Sequence, residues 1–363
     1  MMRILQVITS LEIGGAEKLM VDLLPRLNSE ENQVDLLVFN GIRTIFTEQI
    51  EAKGVKVYSL SNSSKVYNPL NVFRLIPYLK RYDIIHTHNT ACQLFVPIAK
   101  TLSFAKCKLV TTEHSTQNRR RGNSILRAVD KWMYNRYRNI ICVSDDVEVN
   151  LRSHLGDKKH NNKIITINNG VDCQKFALAT PTKDLLGIDS VDKVVLMVAR
   201  FAYPKDQNTL ISALTYLPNN VHAVFVGQGE TLAESIELSK SLGNAKRVHF
   251  LGARSDIPEL MKSADVIVLS SHYEGLSLSS LEAMSSGRPF VASDVPGLRE
   301  IVAGAGLLFP DGDYEMLSSH ILNLMNDKDF YNQIVKSCLA RAKQFDVTKT
   351  MREYLSCYIH QHK

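Results

Sequence analysis

The chain has 363 residues, of which 45% are hydrophobic and 22% charged. This balance excludes a mainly disordered protein, and the length predicts two domains because one domain usually holds about 100–200 residues. The net charge is +6, but residues 1–180 carry 25 Lys and Arg against 16 Asp and Glu, whereas the remainder is slightly acidic. The basic half is equally compatible with an anionic partner (a membrane surface, a phosphorylated substrate or nucleic acid) and with a solvated surface.

The cysteines and the N-terminus indicate the compartment. Six cysteines are scattered along the chain without a Cys-x-x-Cys pair, which indicates reduced thiols and disfavours a zinc site. No apolar run approaches the roughly 20 residues that span a bilayer, and the N-terminus becomes polar too soon for a signal peptide. We therefore expect a cytoplasmic protein, with any membrane attachment peripheral and on the inner face of the cell membrane.

Short apolar runs alternate with segments of helical period in the first half of the chain. Strands are predicted at 4–8, 34–39, 55–60, 83–88, 108–112 and 139–143, and helices at 16–27, 44–53, 71–81, 91–102 and 125–137. A break follows at 167–172, where an Asn-Asn-Gly turn predicts a hinge region.

The same alternation restarts near residue 190. Strands are predicted at 194–199, 221–226 and 248–251, and helices at 208–217, 232–241 and 257–263; the segments 266–270, 277–286, 289–292, 298–303 and 307–309 continue the pattern, and helices at 313–325 and 330–344 close it. Repeated strand–helix units with apolar strands imply doubly wound parallel sheets. The predicted class is α/β, with two Rossmann-like domains whose sheets face a central cleft.

Paired glycines follow the first predicted strand. Gly14 and Gly15 lie at a strand-to-helix turn, where backbone N–H groups can approach a phosphate at the helix N-terminus. The spacing is not Gly-x-Gly-x-x-Gly, so the dinucleotide fingerprint is absent. A plain tight turn explains the pair equally well.

Two cations follow the first predicted strand of the second half. Arg200 and Lys205 lie just beyond its carboxyl end, the edge at which parallel sheets bind ligands. An arginine fork and a lysine point charge can together hold a diphosphate. Either residue in isolation would more often be an ordinary surface cation.

The strongest signal is a loop followed by a helix at 271–284. The loop contains Glu274 and Gly275, and the helix that begins near Ser277 has free N–H groups ready for an anion. These N–H groups belong to Leu276, Ser277 and Leu278. Glu282 lies one to two turns into the helix and can accept hydrogen bonds from the two hydroxyls of a ribose. A favourable effect on the helix dipole is an alternative for Glu274, but Glu282 lies too deep in the helix for it.

These segments together resemble the retaining glycosyltransferases of family 4, which have the GT-B fold. The resemblance covers nearly the whole chain. Its motifs are Gly14-Gly15-Ala16-Glu17, Glu113-His114-Ser115, Asn169-Gly170-Val171-Asp172, Arg200 with Lys205, Gly227-Gln228-Gly229, Gly252 with Arg254-Ser255-Asp256, and Glu274-Gly275 with Glu282. Two departures are mild: Ala199 stands where the family commonly has glycine, and Leu276-Ser277 where an aromatic residue or proline is often nearby.

The resemblance implies a hexosyltransferase that moves a sugar from a nucleotide-sugar, with UDP the family's commonest nucleotide, to a glycan or lipid-linked acceptor in surface glycan synthesis, with retention. His114 and Glu274 would be catalytic, the first beside the reacting centre and the second on the sugar hydroxyls. Arg200 and Lys205 would grip the diphosphate, and Glu282 the ribose. The other implied donor-binding residues are Gly14, Gly15, Gly227, Arg254, Gly275, Leu276, Ser277 and Leu278. The expected domains are 1–168 on the acceptor side, 169–345 for the nucleotide-sugar, and a segment 346–363 that packs back on the first.

A metal cofactor is not expected. No Asp-x-Asp metal motif is evident in the sequence, so Arg200 and Lys205 would take the metal's role. His86 and His88 could chelate a metal because alternate residues of a strand share a face, but no third ligand lies close in sequence. An acceptor-side or structural role is favoured for His88.

A basic cluster begins at Arg119, Arg120 and Arg121 and continues to Arg138, with Trp132, Tyr134 and Tyr137 interleaved. It could hold a lipid-linked pyrophosphate at an anionic membrane surface, and a solvated face is the alternative. Nucleic acid is not expected, because no nucleic-acid-binding motif accompanies the charges and the second half is acidic. A nucleotide-sugar epimerase on a related frame remains the alternative enzyme, and a basic nucleic-acid-binding protein the more distant one.

Overall fold

The computed structural model describes residues 1–12, 14–62, 64–115, 124–156, 162–182, 187–189 and 191–359, with backbone alone at 124 and 125. The chain forms two compact units. The first comprises Met1–Gly170 and Val347–Lys363, and the second Val171–Asp346. The divisions drawn from the sequence fall after residues 168 and 345.

Strands and helices alternate along both units. The strands are β1 (Met2–Ile8), β2 (Asn32–Val38), β3 (Val57–Ser59), β4 (Ile84–His88), β5 (Lys108–Glu113), β6 (Asn139–Cys142), β7 (Ile164–Thr166), β8 (Lys193–Val198), β9 (Val221–Val226), β10 (Val248–Phe250), β11 (Val266–Leu269), β12 (Phe290–Ser293) and β13 (Leu307–Phe309). The helices are α1 (Gly15–Leu27), α2 (Ile45–Glu51), α3 (Asn71–Leu79), α4 (Thr90–Ser103), α5 (Ser124–Asn135), α6 (Asp145–Leu155), α7 (Cys173–Ala177), α8 (Gln207–Ala213), α9 (Leu232–Ser241), α10 (Ile257–Ser263), α11 (Leu278–Ser285), α12 (Arg299–Val302), α13 (Tyr314–Asn326), α14 (Lys328–Lys343) and α15 (Val347–Ile359).

The first unit is built on a parallel sheet of order β3-β2-β1-β4-β5-β6-β7. Its central strands, such as β4 and β6, are buried on both faces because helices cover both sides. Strand order reverses between β1 and β4, and ligands of such sheets bind at the carboxyl ends of the strands beside that point. The last helix, α15, returns to this unit and buries Tyr354 and Tyr358 in the same core as Leu19 and Leu23 of α1.

The second unit repeats the design. Its parallel sheet has the order β10-β9-β8-β11-β12-β13, and strand order reverses between β8 and β11. One continuous apolar core contains Val194–Met197 and Val266–Leu269 from these central strands. The predicted fold class, α/β with two Rossmann-like parallel-sheet units, is confirmed.

Four elements have no counterpart among the predicted ones: α6, β7, α7 and α15, the last of which lies in the segment 346–363 for which no helix was predicted. Helix α6 has clear local signals, because Ser144 accepts a hydrogen bond from the backbone N–H of Val147 and Gly156 ends the helix with φ +62°. Strand β7 has three residues and lies at the sheet edge, too short for a periodic pattern to show.

Candidate active site

The glycine pair of the first unit lies where β1 leads into α1. Gly15 begins the helix and Gly14 precedes it with an extended backbone, φ −167°. A Cβ at Gly14 would meet only the end of the Glu17 side chain, so another residue there would displace that carboxylate. Asn89 donates to Glu17 at 3.4 Å and to Thr9 at 3.0 Å, and burial raises the pKa of Glu17. The turn is thus packed around a partly buried carboxylate.

Three histidines cluster at the carboxyl ends of β4 and β5. His88 Nδ1 lies 2.9 Å from His114 Nε2, and His88 Nε2 lies 2.8 Å from Gln6 Oε1. The rings of His86 and His88 stack with centroids 4.5 Å apart. His86 hydrogen-bonds Tyr358 at 2.7 Å through Nδ1 and the hydroxyl of Thr112 at 2.8 Å through Nε2.

This geometry defines what each histidine offers. His88, predicted on the acceptor side, is fully buried with both nitrogens in hydrogen bonds, as are those of His86, so neither ring has a nitrogen left for a metal. Burial lowers the pKa of His86 to about 3 and of His114 to about 4, and brings the pKa of His88 well below its ordinary value. All three rings are therefore neutral near pH 7. His114 alone keeps a nitrogen, Nδ1, without a hydrogen-bond partner among the described residues.

In the second unit, the loop after β8 carries both predicted cations. Arg200 is exposed, and no carboxylate among the described residues pairs with its guanidinium. Its carbonyl oxygen accepts a hydrogen bond from Gln207 Nε2 at 2.9 Å, which ties the loop to the start of α8. The backbone is thus held while the guanidinium stays available.

Lys205 and Glu274, predicted from separate loops, form an ion pair. Ser271 donates a hydrogen bond to the same Glu274 oxygen at 2.7 Å, and backbone pairing joins Lys205 to Ser271. The Lys205 and Glu274 side chains are only 18% and 11% exposed. Sequence reasoning did not single out Ser271, although a hydroxyl residue so soon after a buried strand is a usable signal.

Glycines shape the loops around this pair. A Cβ at Gly227, where φ is +145°, would lie 2.0 Å from the carbonyl oxygen of Ala199, so the loops after β8 and β9 touch backbone to backbone. A Cβ at Gly297, where φ is +85°, would lie 2.2 Å from the carbonyl oxygen of Glu274. Gly297 was missed by sequence reasoning, and the Pro296-Gly297 dipeptide after β12 is the signal that marks it.

Gly275 differs from these glycines. Its φ lies outside the left-handed region, and nothing lies within 4 Å of the position that a Cβ would take. The described part of the protein therefore does not require glycine at this exposed position, and open space lies beside it.

The helix after this loop begins one residue later than predicted, at Leu278. Ser277 is its N-cap and its hydroxyl makes no capping hydrogen bond, while Leu276 lies in the loop. The N–H groups without an intrahelical acceptor are therefore those of Ser277, Leu278, Ser279 and Ser280. Glu282 is 8% exposed in the second turn of α11.

Arg254, predicted in the donor site, lies in the loop after β10. Its guanidinium pairs with Asp256, with Nε 2.8 Å from Oδ1. The carbonyl oxygen of Gly252 in the same loop accepts a hydrogen bond from Gly227 N–H at 2.8 Å, which holds the loops after β9 and β10 side by side.

The Asp-x-Asp spacing does occur, at Asp311-Gly312-Asp313 and Asp327-Lys328-Asp329. The expectation that this motif is missing was therefore wrong. Asp313 caps α13 by accepting from Met316 N–H at 2.8 Å. Asp327 caps α14 by accepting from Phe330 N–H at 2.9 Å. Both carboxylates thus have a structural use.

One group of side chains in the described residues has metal-ligand types within reach of each other: Asp206, His272 and Asp311, whose ligand atoms lie within 4.8 Å. Asp206 caps α8 by accepting from Thr209 N–H at 3.1 Å. His272 Nδ1 lies 3.0 Å from Asp311 Oδ1. Capping and ion pairing therefore account for these three side chains.

The predicted basic cluster is only partly described. Arg119, Arg120 and Arg121 lie outside the described residues. Trp132 is half-exposed, with Arg136 stacked 5.2 Å from its ring centroid. Tyr134 and Tyr137 are buried in the core and donate hydrogen bonds to Glu113 and to the Gln93 carbonyl, so interpreting them as surface aromatics was wrong. In the described parts of the chain, helices fall short of the length and apolar character that crossing a bilayer demands.

Two family models match successive parts of the chain. The glycosyltransferase family 4 model matches residues 13–175, and the glycosyl transferases group 1 model matches residues 181–339. The break between the two matches lies close to the division between the two units, after Gly170.

Two enzymes are similar over most of their length. The chain is 29% identical over 319 residues to the UDP-Gal:alpha-D-GlcNAc-diphosphoundecaprenol alpha-1,3-galactosyltransferase of Escherichia coli, covering 82% of this chain and 81% of that enzyme. It is 28% identical over 335 residues to the N,N'-diacetylbacillosaminyl-diphospho-undecaprenol alpha-1,3-N-acetylgalactosaminyltransferase of Campylobacter jejuni, covering 86% and 88%.

Solved structures of other proteins have the same fold as this chain. The crystal structure of Anabaena HepE in complex with UDP superimposes with a TM-score of 0.81 at 25% identity, covering 98% of this chain and 99% of that one. The same protein in complex with UDP-glucose gives the same TM-score and identity. With both units matched by glycosyltransferase models, and enzymes and a solved structure similar along its length, the chain belongs to the family 4 glycosyltransferases with the GT-B fold.

Proposed function

We propose that this glycosyltransferase is retaining and metal-independent, and that it transfers a hexose from a UDP-sugar to a lipid-linked diphosphate acceptor. The observation that carries the proposal is the Arg200 guanidinium, which has no carboxylate partner among the described residues and lies in the same loop as Lys205, the partner of Glu274. Anabaena HepE, similar along its whole length, has been solved with UDP and UDP-glucose. The names of the two similar enzymes specify diphosphoundecaprenol acceptors.

The residues fit the chemistry of a glycosyl–phosphate bond. When that bond breaks, negative charge grows on the leaving diphosphate, and fixed donors aimed at such charge are each worth about 3 kcal/mol. Arg200 supplies a fork and Lys205 a point charge. The ion pair with Glu274 fixes the direction of the ammonium group, which keeps further N–H donors for phosphate oxygens. These cations would take the part that a divalent metal plays elsewhere.

The remaining roles follow from position. Glu274 would accept hydrogen bonds from the hydroxyls of the transferred sugar, and the open space beside Gly275 leaves room for it. Glu282 would bind the ribose, and the free N–H groups at the start of α11 would face the phosphates. The acceptor hydroxyl would attack the face that the diphosphate leaves, so that a diphosphate oxygen takes its proton and the configuration is retained.

A lipid-linked acceptor requires contact with a membrane. We propose peripheral attachment to the inner face of the cell membrane, supported by the excess of basic residues in 1–180. Each basic side chain near an anionic surface contributes about 1 kcal/mol.

The test is a screen of UDP-, GDP- and dTDP-hexoses with the purified full chain and a GlcNAc-diphosphopolyprenol, with product masses read by mass spectrometry and the anomeric configuration by NMR. We expect UDP release, an acceptor heavier by one hexose with the donor's anomeric configuration, an unchanged rate in excess EDTA, and a higher rate on anionic than on neutral vesicles. An epimerised nucleotide-sugar without acceptor, or activity lost in EDTA and restored by magnesium, would refute the proposal.

A further inference from the structure

A chain of hydrogen bonds runs through the core of the first unit from its last helix to His114. Gln6 Nε2 donates to the Tyr358 hydroxyl at 2.8 Å, and Gln6 Oε1 lies 2.8 Å from His88 Nε2. His88 Nδ1 in turn lies 2.9 Å from His114 Nε2. The side chains of Gln6, His88 and Tyr358 are almost entirely buried, so water does not compete for these hydrogen bonds.

The chemistry of each group decides which atom donates and which accepts in each of these hydrogen bonds. A glutamine oxygen can only accept a hydrogen bond, so the proton of His88 is on Nε2. A neutral imidazole has one donor and one acceptor, which makes His88 Nδ1 an acceptor and places the proton of His114 on Nε2. His114 Nδ1 is left as a lone pair.

The orientation of the Gln6 amide is supported from its other side. The Tyr358 hydroxyl accepts from Gln6 Nε2 and can then donate to His86 Nδ1, 2.7 Å away. His86 Nε2 is then the protonated nitrogen, and it lies 2.8 Å from the oxygen of Thr112. Each group in this second branch has a partner of the right kind.

The lone pair on His114 Nδ1, at the end of the series from Gln6 through His88, is the exception. His114 Nδ1 is buried and has no hydrogen-bond partner among the described residues, although the ring itself is partly exposed. A buried acceptor without a donor is unfavourable, and such groups in native proteins call for an explanation. A ligand group that carries a hydrogen would supply the missing donor.

We propose that Gln6, with Tyr358 behind it, and His88 are positioning residues that hold His114 in the Nε2–H tautomer, so that Nδ1 accepts a hydrogen bond from a hydroxyl of the bound substrate. This rests on the proposed function, in which the substrate is a sugar rich in hydroxyls. The same lone pair repels a phosphate or carbonyl oxygen. The site at His114 thus selects a hydroxyl group rather than an anion.

The tautomer can be measured without substrate. Long-range ¹H–¹⁵N correlation spectra of the full chain labelled with ¹⁵N-histidine distinguish a protonated from an unprotonated ring nitrogen, and loss of one ring system in His114→Gln assigns His114. We expect a protonated Nε2 and an unprotonated Nδ1 throughout pH 5.5–8. An Nδ1–H ring, which a reversed Gln6 amide would produce, or averaged shifts would overturn the proposal.

Two tyrosines of α15 provide a matched pair of variants. Tyr358→Phe removes the acceptor of Gln6 Nε2 without touching a hydrogen bond of His88 or His114, and we expect the two His114 nitrogen shifts to move toward their average. Tyr354→Phe removes an equally buried hydroxyl, which lies 3.2 Å from Thr112 Oγ1, and should leave those shifts unchanged. Equal changes in both variants would show general loosening and overturn the proposal.

Activity gives the second readout. We expect kcat/KM to fall about tenfold in Tyr358→Phe, the worth of about one hydrogen bond, and to stay within about twofold of the unmodified chain in Tyr354→Phe. A tautomer that shifts in Tyr358→Phe without any loss of kcat/KM would overturn the role toward substrate. If no UDP-sugar is transferred at all, the proposed function fails while the tautomer measurement still stands, so the two failures are distinguishable.

Discussion

The two units use the same parallel frame but equip it in different ways. In the first unit the central strands β4 and β5 end in buried polar residues: His86, Thr87, His88, Thr111, Thr112 and Glu113. In the second unit the central strands β8 and β11 are apolar from Val194 to Val198 and from Val266 to Leu269. The polar candidates there, Lys205 and Glu274, lie in the loops beyond the strands.

This difference separates two ways to hold a functional side chain. A buried polar network is rigid when every member is paired, and costly when one partner is lost. A loop depends instead on close backbone contacts, here at Gly227 and Gly297. A substitution in the candidate site of the first unit should therefore also lower the stability of that unit. In the second unit, a loop substitution leaves the apolar core intact.

Acid should produce the largest difference in stability between the two units. The three histidines have a lower pKa folded than in the unfolded chain, where the ordinary value is about 6.5. The unfolded chain thus binds more protons below that value, so their contribution to stability is complete above about pH 6.5 and is lost as the pH falls. For His86 and His114, whose folded pKa values are about 3 and about 4, the loss between pH 7.5 and pH 5 is about 2 kcal/mol each, and His88 changes stability in the same direction.

The chain offers a direct way to follow this. Its single tryptophan, Trp132, lies in the first unit, so its fluorescence in urea reports the unfolding of that unit, while protease resistance of the second unit serves as the internal control. The second unit's histidines are all at least partly exposed. A urea midpoint of the Trp132 signal that is the same at pH 5 and pH 7.5 would contradict this expectation, and His86→Gln should reduce the pH effect.

A loop substitution should show the opposite behaviour: a large loss of rate with little loss of fold. We expect Lys205→Met to lower kcat about 10²- to 10³-fold, the usual effect of removing one donor that stabilises developing negative charge. Steady-state kinetics with the UDP-sugar found in the screen measures it. Lys193→Met is the matched control, because Lys193, at the amino end of β8, also pairs with a carboxylate, that of Asp265. A Lys205→Met rate within threefold of the control would exclude the proposed role.

The smallest expected effect concerns nucleotide binding alone. We expect Glu282→Gln to weaken UDP binding by about 1–3 kcal/mol, because the amide replaces a charged acceptor for the ribose hydroxyls. Isothermal titration calorimetry measures this, with the exposed Glu237→Gln of α9 as control. Unchanged UDP affinity would refute the ribose assignment, and an equal loss in both variants would point to charge rather than contact.

The sequence was most informative where a site is local in the chain. Arg200, Lys205 and the Glu274 loop each follow a strand that apolar runs predict well, and parallel topology brings their carboxyl ends to one edge. Composition misled at Tyr134 and Tyr137, because aromatic residues interleaved with cations do not reveal which side chains pack inward.

Other features were beyond local patterns. The hydrogen bond between Gln6 and Tyr358 joins residues 352 positions apart, so no spacing rule could pair them. The role of Gly297 depends on which loop comes to lie against it, and the two Asp-x-Asp spacings show that a motif can be used as helix caps.

The return of α15 to the first unit has a consequence for synthesis. Residues 171–346 form one uninterrupted unit, which can fold as soon as it has left the ribosome, because domains generally fold as units. The sheet that is made first lacks part of its core until the residues that are made nearly last are present, since Tyr354 and Tyr358 belong to that core. Until then His86 lacks its tyrosine partner and the apolar face of α1 stays uncovered. The first unit is therefore synthesised first but completed last. Its exposed apolar surface needs protection from aggregation while translation continues.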